Sequence, residues 1–293
     1  MDRVDVWVVR GLWLALPITV GPAAGHALAS ASRPVQLVAS VGLWLLWTVG
    51  LVATLVPTTV SLTVVRLLSP APTVVAVTAL SADPGWRAVL ALGAAAALAA
   101  VSFRGPFGRA FVQGSAYGDE QRYPLRPPGA LVVGPLPILW LLLAGSVAAG
   151  PLLLAGGQWA LGAAASAAGL ALLLILPRRF HRLSRRFLVF VPAGIVIHDH
   201  MVLAETVLFR WPTVRAVDRA LADTEALDLT GGAMGSAVEV VLAGLETIVL
   251  VGRRPNQTSA VHARAFLCSP TLIDAVLAQA ATPPPRTNRS AVS

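Results

Sequence analysis

Residues 169–199 read GLALLLILPRRFHRLSRRFLVFVPAGIVIHD, and this stretch contains the transition that decides the fold. It begins as an apolar run, continues through five arginines and one histidine in residues 178–186, and ends in short apolar runs around a Pro-Ala-Gly turn. Long apolar runs are typical of transmembrane helices, whereas short runs bounded by turn residues are typical of strands. We therefore place a domain boundary at residues 178–186, which we call the basic hinge.

Composition excludes an ordinary soluble globular protein. Of 293 residues, 56% are hydrophobic and 12% are charged, and the mean hydropathy is +0.74, whereas soluble domains carry roughly 25% charged residues. All 22 basic residues are arginine, which indicates a high-GC, bacterial coding sequence. The single cysteine, Cys268, excludes an intramolecular disulfide.

Charge divides the chain into two parts. Residues 1–186 hold 14 arginines and 5 acidic residues, a net charge of +9, while residues 187–293 hold 8 arginines and 9 acidic residues, a net charge of −1. The two parts are expected to face different solvents. A nucleic-acid partner is not expected, because the basic charge is confined to the part that carries the apolar runs.

A helix needs about 20 mostly apolar residues to cross the hydrocarbon layer. Six predicted spans meet or approach this length: 11–30, 35–56, 60–82, 86–103, 130–149 and 157–176. The segment 60–82 is the doubtful one, because Arg66, Pro70 and Pro72 interrupt it. The sequence therefore predicts a transmembrane domain, 1–177, of six helices, with a five-helix arrangement left open.

Arginine-rich short loops stay on the cytoplasmic side of a membrane. With six spans and both termini inside, 12 arginines of residues 1–186 lie inside and 2 outside; with five spans the count is 10 against 4. Both arrangements predict a multi-pass protein of the cell (inner) membrane with a cytoplasmic C-terminal domain, and the count favours six spans.

The predicted spans lack the groups that chemistry or ion transport needs at membrane depth. No Asp, Glu or Arg lies well inside a confident span, and His26 falls near the outer end of the first one. No metalloprotease or hydrolase motif occurs. We therefore expect no catalytic residue, no cofactor, no metal and no enzyme activity. The small-residue stretch 162–169, GAAASAAG, permits close helix packing and self-association.

Two basic segments flank the later spans. The loop 104–129 is rich in Pro, Gly and Arg and is expected to be mainly a solvated linker, with docking on the C-terminal domain as the alternative. The basic hinge is expected to lie against the inner headgroups, each base contributing about 1 kcal/mol near an anionic leaflet. Its arginines are Arg178, Arg179, Arg182, Arg185 and Arg186. The bilayer and its anionic inner-leaflet lipids are the expected partners.

Beyond the hinge, short apolar runs separated by turn residues predict a β-rich domain over residues 187–281. The predicted strands are 187–191, 195–198, 205–210, 213–219, 225–230, 237–243, 246–252 and 259–267. A helix is predicted to start at Ser269-Pro270, with Pro at its first position. The last residues, 282–293, read TPPPRTNRSAVS and are expected to form a disordered tail.

The order of these elements resembles the bacterial pleckstrin-homology-like (PH-like) domain. The runs RRFLVFVPAGIVIHD, ETVLFRWPTVRAV and SPTLIDAVLAQA carry the resemblance, and the third strand leads into a Trp-containing turn. The whole chain also resembles actinobacterial polytopic membrane proteins. The resemblance implies a binding or assembly module without catalytic residues, and it makes Arg210 and Trp211 of the turn candidates for interaction.

His198 and His200 flank Asp199 and complete the interaction candidates. Two imidazoles two residues apart face one way on a strand and could bind a metal with Asp199 or His262. Because no third ligand is identifiable, a polar turn is favoured. Cys268 is expected to be a buried, small apolar residue.

These observations predict a non-enzymatic integral membrane protein whose cytoplasmic PH-like domain binds protein partners or the membrane surface. The alternative is a small-solute channel or transporter with a regulatory cytoplasmic domain. An intramembrane or lipid-modifying enzyme is the least favoured class, because the sequence identifies no nucleophile and base within reach of each other.

Overall fold

The computed structural model describes residues 2–252, 254 and 257–282, and the chain forms two compact units. The helical unit comprises the chain up to Ser115 together with residues 131–184. The β unit comprises residues 116–130 and the chain from Arg185 onward. Apart from Thr282, the predicted disordered tail lies outside the described residues.

The helices follow one another with short connections. They are α1 (Asp2–Ala27), α2 (Arg33–Leu55), α3 (Thr59–Leu68), α4 (Ala71–Ala82), α5 (Trp86–Ser102), α6 (Gly105–Gln113), α7 (Gly129–Val133), α8 (Pro135–Ala155) and α9 (Trp159–Ser184). Five segments are long and apolar enough to cross a membrane by length and composition, namely 3–27, 33–55, 59–82, 129–155 and 159–184. The pair α5 and α6, bent by 56°, would make a sixth. This confirms the prediction of five or six apolar helices followed by a small β-rich region.

The doubtful segment 60–82 is long and apolar enough in the structure to cross a membrane. Residues 59–82, interrupted only between α3 and α4, form a candidate span of 24 residues. Near this break the indole Nε1 of Trp140 donates to the carbonyl oxygen of Leu67 at 2.7 Å, which satisfies a backbone group that would be costly to leave unpaired in lipid. The marginal span is instead α5, whose 17 residues extend about 25 Å at 1.5 Å per residue.

Helix α1 begins at Asp2, nine residues before the predicted start of the first span. Hydropathy does not detect this extension, because Arg3, Asp5 and Arg10 lower the apolar average while the backbone continues as helix. The buried face of α1 continues through the polar turn and includes Asp5.

Small side chains form the contact between α5 and α1. The buried residues of α5 recur at alternating intervals of three and four, which places them on one helix face. They are Ala88, Ala91, Ala95, Leu98 and Ser102. Small residues at a helix interface let the two backbones approach closely, and this is the usual basis of packing between helices in lipid.

Two tryptophans join α1 to α2 through reciprocal hydrogen bonds. The indole of Trp13 donates to the carbonyl oxygen of Trp47, and the indole of Trp47 donates to that of Trp13, both at 2.9 Å. Trp13 is 1% exposed. It packs directly over Gly50, where a Cβ atom would come within 1.7 Å of the indole ring. Gly50 is therefore required for the close approach of these two helices.

Glycines likewise permit the close packing of α8 against α9. A Cβ atom at Gly150 would lie 2.5 Å from the hydroxyl of Ser166, and one at Gly169 would lie 3.0 Å from the backbone of Ser146. The small-residue stretch 162–169 thus forms part of an intramolecular helix contact.

Two four-stranded sheets make up the β unit. The first contains β1 (Gln121–Pro124), β2 (Phe187–Val191), β3 (Gly194–His198) and β4 (Val207–Arg210), paired antiparallel in chain order. The second has the order β5-β7-β8-β6, with β5 (Val214–Arg219), β6 (Leu227–Asp228), β7 (Val238–Val251) and β8 (Thr258–Cys268). Its pairs are antiparallel except that β6 runs parallel to β8. The helix α10 (Ile273–Ala280) follows.

Both sheets contribute their apolar faces to one core. Alternate residues of a strand point to opposite faces, so every second residue of β2, β3 and the first part of β7 is directed inward. The core includes Leu188, Phe190, Ile195, Ile197, Phe209, Val238, Val240, Phe266 and Cys268, with Val276 from α10.

The loop 104–129, expected to be mainly a linker, is partly regular structure. Residues 105–113 form α6, and residues 121–124 form β1, which pairs with β2 from Gln121 opposite Phe190 to Pro124 opposite Phe187. A four-residue strand ending in proline is not recognisable without its partner, which lies more than 60 residues away in the sequence.

The structure differs from the sequence-based predictions in the bounds of two further elements, β7 and the last helix. The predicted strands 237–243 and 246–252 are one strand, β7, with an irregular register between Val241 and Glu246. The last helix begins at Ile273, because Pro270 is held in an antiparallel bridge with Leu125.

Candidate interaction surfaces

Charged side chains gather at one end of the helical unit, which we call the basic end. The Oδ1 atom of Asp5, whose residue is only 6% exposed, lies 3.0 Å from Nη1 of Arg104. The Nε atom of Arg10 donates to the carbonyl oxygen of Thr54 at 3.0 Å. These bonds bring together the beginning of α1, the end of α2 and the end of α5.

A hydroxyl and imidazole cluster ties α3 to α9 at the same end. The Oγ1 atom of Thr63 lies 2.9 Å from Nδ1 of His181 and 3.0 Å from Oγ of Ser184. Sequence reasoning missed this cluster, because more than 100 residues separate its members and His181 is one of several polar residues of the hinge. Hydroxyl and imidazole groups also occur in hydrolases, but Thr63 and Ser184 are buried, and the Thr63 hydroxyl also contacts the carbonyl oxygen of Thr59 at 3.0 Å. The cluster therefore fits a structural tie between the two helices.

The opposite end of the helical unit has a different pair. The Nε2 atom of His26, in the last turn of α1, lies 3.3 Å from Oδ2 of Asp83, and both side chains are exposed. Asp83 lies three residues before α5, and Arg104 lies two residues after it. Since Asp83 contacts the end of α1 and Arg104 contacts its beginning, residues 83–104 run the full length of α1.

Arginines are distributed unequally between these two ends. The basic end collects arginines from α1, α3, α6, α9 and the connection between α5 and α6: Arg3, Arg10, Arg66, Arg104, Arg109, Arg178, Arg179 and Arg182. Arg33 and Arg87 lie at the opposite end, at the beginnings of α2 and α5. The basic hinge thus continues a wider concentration of positive charge.

The five predicted membrane-surface arginines do not behave alike. Arg178, Arg179 and Arg182 are exposed in the last turns of α9, and Arg185 is exposed where the chain enters the β unit. Arg186, in contrast, is 0% exposed, so its assignment to the membrane surface is wrong. A side chain enclosed on all sides cannot contact lipid headgroups.

Arg186 forms a buried ion pair with Asp199. Its Nε donates to Oδ1 at 2.8 Å and its Nη2 donates to Oδ2 at 2.7 Å. The remaining donors reach the carbonyl oxygens of Arg126 at 2.8 Å and Thr230 at 3.3 Å. A buried ion pair needs such additional hydrogen bonds to offset the cost of removing both charges from water. The guanidinium therefore joins the segments that follow β1, β3 and β6 to the start of β2.

The glycine-rich segment 231–235 packs closely against the side chains of Arg126 and Arg186. Gly231 and Gly235 have φ angles of +66° and +92°, which glycine adopts without steric cost. A Cβ atom at Gly235 would lie 2.6 Å from Nη1 of Arg126, and one at Gly231 would lie 3.4 Å from Nη2 of Arg186. These contacts account for the glycines without a bound ligand.

His198 lies on the outer side of the first sheet. Its ring stacks on Phe187 with centroids 4.9 Å apart, and its Nδ1 lies 2.8 Å from the hydroxyl of Thr206. Burial, with a further contribution from Arg185, lowers the pKa of His198 below its usual 6.5, so the ring is neutral at physiological pH. His200 lies close by, with ring centroids 6.2 Å apart.

Asp199 is a poor candidate for a third ligand of a metal site with His198 and His200. Both of its carboxylate oxygens accept hydrogen bonds from Arg186. His262 instead contacts the hydroxyl of Thr247 at 3.0 Å. Over residues 2–252, 254 and 257–282, no group of three or more His, Cys, Asp or Glu residues could hold a metal ion.

Cys268 is fully buried in the core of the β unit. Burial raises the pKa of its thiol to about 12, so the reactive thiolate form is scarce at neutral pH. Cys268 therefore lacks the properties of a catalytic nucleophile.

Trp211 and Arg210 lie where β4 passes into β5. The indole Nε1 of Trp211 donates to the carbonyl oxygen of Val191 at 3.3 Å, and its ring centroid is 6.1 Å from that of Phe190. Trp211 is therefore anchored to the core, whereas Arg210 is exposed. Trp211 also lines an open cleft.

Among the residues that the structure describes, two open clefts lie on the β unit. The first, about 370 Å³, lies between β5 and α10 and is bordered by Trp211. The second, about 430 Å³, lies beside β8 and is lined by Glu225, Glu239 and Arg264 among others.

Comparison of the chain with protein-family models, with curated proteins and with solved structures finds no match.

Proposed function

We propose that this chain is a non-enzymatic, multi-pass protein of a bacterial cell membrane that anchors a cytoplasmic PH-like interaction module. In this proposal the helical unit crosses the bilayer six times, the exposed arginines of the basic hinge contact anionic lipids of the inner leaflet, and the β unit binds protein partners.

The observation that carries the proposal is the unequal charge of the two ends of the helical unit. Eight arginines belong to the basic end and two to the opposite end. Arginine and lysine are enriched on the cytoplasmic side of membrane proteins. The basic end would therefore face the cytoplasm, and with it the end of α9, from which the chain enters the β unit.

Two contacts support an even number of crossings. Residues 83–104 run the length of α1, from the partner of His26 to the partner of Asp5, which favours α5 as a crossing helix despite its short length. The strand β1 precedes α8 and pairs with β2, which follows α9. Because paired strands lie on one side of a membrane, α8 and α9 would cross together as a hairpin.

The arrangement of strands supports a PH-like fold for the β unit. Four strands form an antiparallel meander, three longer strands of the second sheet pack on it through a shared core, and α10 contributes Val276 to that core. The resemblance in element order, including the Trp211 turn, agrees with this arrangement.

The positions of the buried polar groups and of the open clefts support an interaction role for the β unit. In the helical unit, Asp5, Thr63 and Ser184 are buried and engaged between helices. The β unit carries two open clefts. A module that recognises partners through the β unit uses these surfaces, whereas a transport pathway would need polar groups that line a route along the helices.

The proposal is tested by crosslinking in cells and identifying partners captured with the full chain. Phe266→Asp places a charge in the β-unit core, where Phe266 is fully buried, and is expected to unfold that unit and abolish partner capture. Leu245→Asp is the matched control, because Leu245 is 61% exposed and should retain every partner. Partners that persist in Phe266→Asp, verified by proteolysis to be unfolded in its β unit, would contradict the proposal.

Flux measurements separate the transporter alternative from this proposal. The full chain in sealed vesicles is expected to be silent towards ions and small neutral solutes. Solute flux that exceeds that of empty vesicles would favour the transporter instead.

A further inference from the structure

We propose that the break between α3 and α4 binds a monovalent alkali cation, Na⁺ or K⁺, through hydroxyl and carbonyl oxygens of residues 66–73. The inference goes beyond the proposed role of the β unit, because it assigns a binding site to the helical unit. Such a cation joins the two half-helices of one span and needs no route along the helices.

The break lies at the middle of a candidate span. Helix α3 ends at Leu68, α4 begins at Ala71, and the whole segment covers residues 59–82. At 1.5 Å per residue the break is roughly 15–18 Å from either end of this segment. Polar backbone groups at such a depth need a partner, because hydrocarbon supplies none.

Two hydroxyls at the break are buried and make no hydrogen bond with the described part of the chain. They are Oγ of Ser69, a residue that is 0% exposed, and Oγ1 of Thr73. The carbonyl oxygen of Ser69 also loses its helical donor, because the N–H of Thr73 donates to the carbonyl oxygen of Pro70 at 3.1 Å. Ser69 and Pro70 keep helical φ angles of −60° and −77°. Residues four apart on a helix lie on one face, with Cβ atoms about 5–6 Å apart, so the two hydroxyls are neighbours.

Two prolines add further free carbonyl oxygens. Pro70 and Pro72 have no N–H. The carbonyl oxygens four residues earlier, those of Arg66 and Leu68, therefore lack the donor that a continuous helix would supply. Together with the Ser69 group, three carbonyl and two hydroxyl oxygens are available at the break.

This set of oxygens suits a cation of low charge. Unwound backbone carbonyls and the C-terminal ends of half-helices coordinate Na⁺ in transporters with broken helices, and the C-terminus of α3 carries the negative end of the helix dipole. Divalent cations are usually held by carboxylates, but residues 59–82 contain no acidic residue. Neutral oxygens without a carboxylate therefore match a monovalent alkali cation.

The charge of Arg66, the one charged residue of this span, is directed away from the break. Long side chains of a helix point back towards its N-terminus. The Nε atom of Arg66 donates to the carbonyl oxygen of Ser102 at 3.2 Å, and the guanidinium lies 5.7 Å from the ring centroid of Phe103. Because Ser102 ends α5 at the basic end, the guanidinium extends towards that end.

The first test measures thermal unfolding of the full chain in detergent, with choline chloride replaced by NaCl or KCl at constant ionic strength. We expect Na⁺ or K⁺ to raise the Tm saturably, by about 5 °C or more at a hundredfold excess over the Kd. A Tm that is the same in all three salts would overturn the proposal. A shift that follows chloride, when gluconate replaces it at fixed Na⁺, would assign the site to an anion and overturn the proposal as well.

Removal of either hydroxyl should weaken the response to the cation. Ser69→Ala and Thr73→Val are expected to raise the half-maximal Na⁺ or K⁺ concentration by about tenfold or more, since loss of even an outer-shell group costs a metal site this much. In choline chloride both variants should be at least as stable as the native chain, because an unsatisfied buried hydroxyl is destabilising. Equal destabilisation in every salt would show that water or the chain satisfies these hydroxyls, and would refute the cation site.

Thr78→Val and Ser81→Ala are the matched controls. Both residues are exposed on α4, and their hydroxyls donate to the carbonyl oxygens of Val75 and Val77 at 2.8 and 2.9 Å. These variants should keep the full response to the cation. An equal loss in the controls and in the site variants would contradict the assignment to the break.

Direct binding measures occupancy independently of stability. Radioactive sodium, or radioactive rubidium as a substitute for potassium, is expected to bind the native chain in detergent and to be displaced by NaCl or KCl. Ser69→Ala should bind less of the tracer than Ser81→Ala. A native chain that binds neither tracer would overturn the proposal.

Discussion

The Arg186 side chain is fully buried in a polar environment. The other four arginines of the basic hinge are exposed, whereas the Arg186 guanidinium is enclosed among Asp199 and two backbone carbonyl groups. Removing one member of such a pair leaves an unpaired buried charge, while replacing both with apolar residues removes the charge altogether.

We expect Arg186→Met to destabilise the β unit by about 3–5 kcal/mol, because the Asp199 carboxylate remains buried without its partner. The double variant Arg186→Met with Asp199→Leu should recover most of this loss. Pulse proteolysis of the full chain in nanodiscs measures the stability of the β unit in both. A single variant as stable as the native chain, or a double variant no better than the single one, would refute the role assigned to this pair.

Sequence alone could not separate Arg186 from the other hinge arginines. All five lie within nine residues and share the same local composition. The distinction depends on Asp199, which reaches Arg186 only because β2 and β3 form an antiparallel hairpin. The same limit applies to Thr63 and His181, which meet through the packing of two distant helices.

At the scale of the element, apolar runs predicted the spans because burial in lipid depends on average hydropathy over about 20 residues. Average hydropathy does not locate the beginning of α1, α6 or β1, because short or partly polar elements owe their structure to tertiary partners. Strands of the β unit were predicted more closely, because their apolar runs are separated by turn residues. The exceptions are β7, which continues through its irregular register, and the late start of α10.

The contact between α1 and α2 depends on the absence of a side chain at Gly50. Gly50→Ala would force the Trp13 indole to move and disturb its hydrogen bond to Trp47, so we expect a loss of about 1–3 kcal/mol, as for other overpacked sites. Thermal unfolding of the purified protein in detergent measures this loss.

Gly42→Ala is the matched control for this prediction. Gly42 lies on the same helix, and a Cβ atom there would have no atom within 4 Å. Alanine at that position should be neutral or slightly stabilising, because glycine is a poorer helix former. Equal effects of the two substitutions would argue against a specific requirement at Gly50.

For the chain as a whole, we propose that six crossings hold the β unit in the cytoplasm. The unequal charge of the two ends of the helical unit, the path of residues 83–104 along α1 and the pairing of β1 with β2 support this arrangement. The chain is well suited to a direct test, since Cys268 is its only cysteine and can be replaced by alanine.

The most direct measurement is labelling of single cysteines with a membrane-impermeant maleimide in right-side-out vesicles. Ser32→Cys, Pro84→Cys and Gln158→Cys should react at once, because these exposed positions lie at the end opposite the basic end. Tyr117→Cys and Ser236→Cys, exposed on the β unit, should react only after permeabilisation. Immediate labelling of Ser236→Cys, or identical behaviour of Pro84→Cys and Tyr117→Cys, would contradict the six-span, cytoplasmic arrangement.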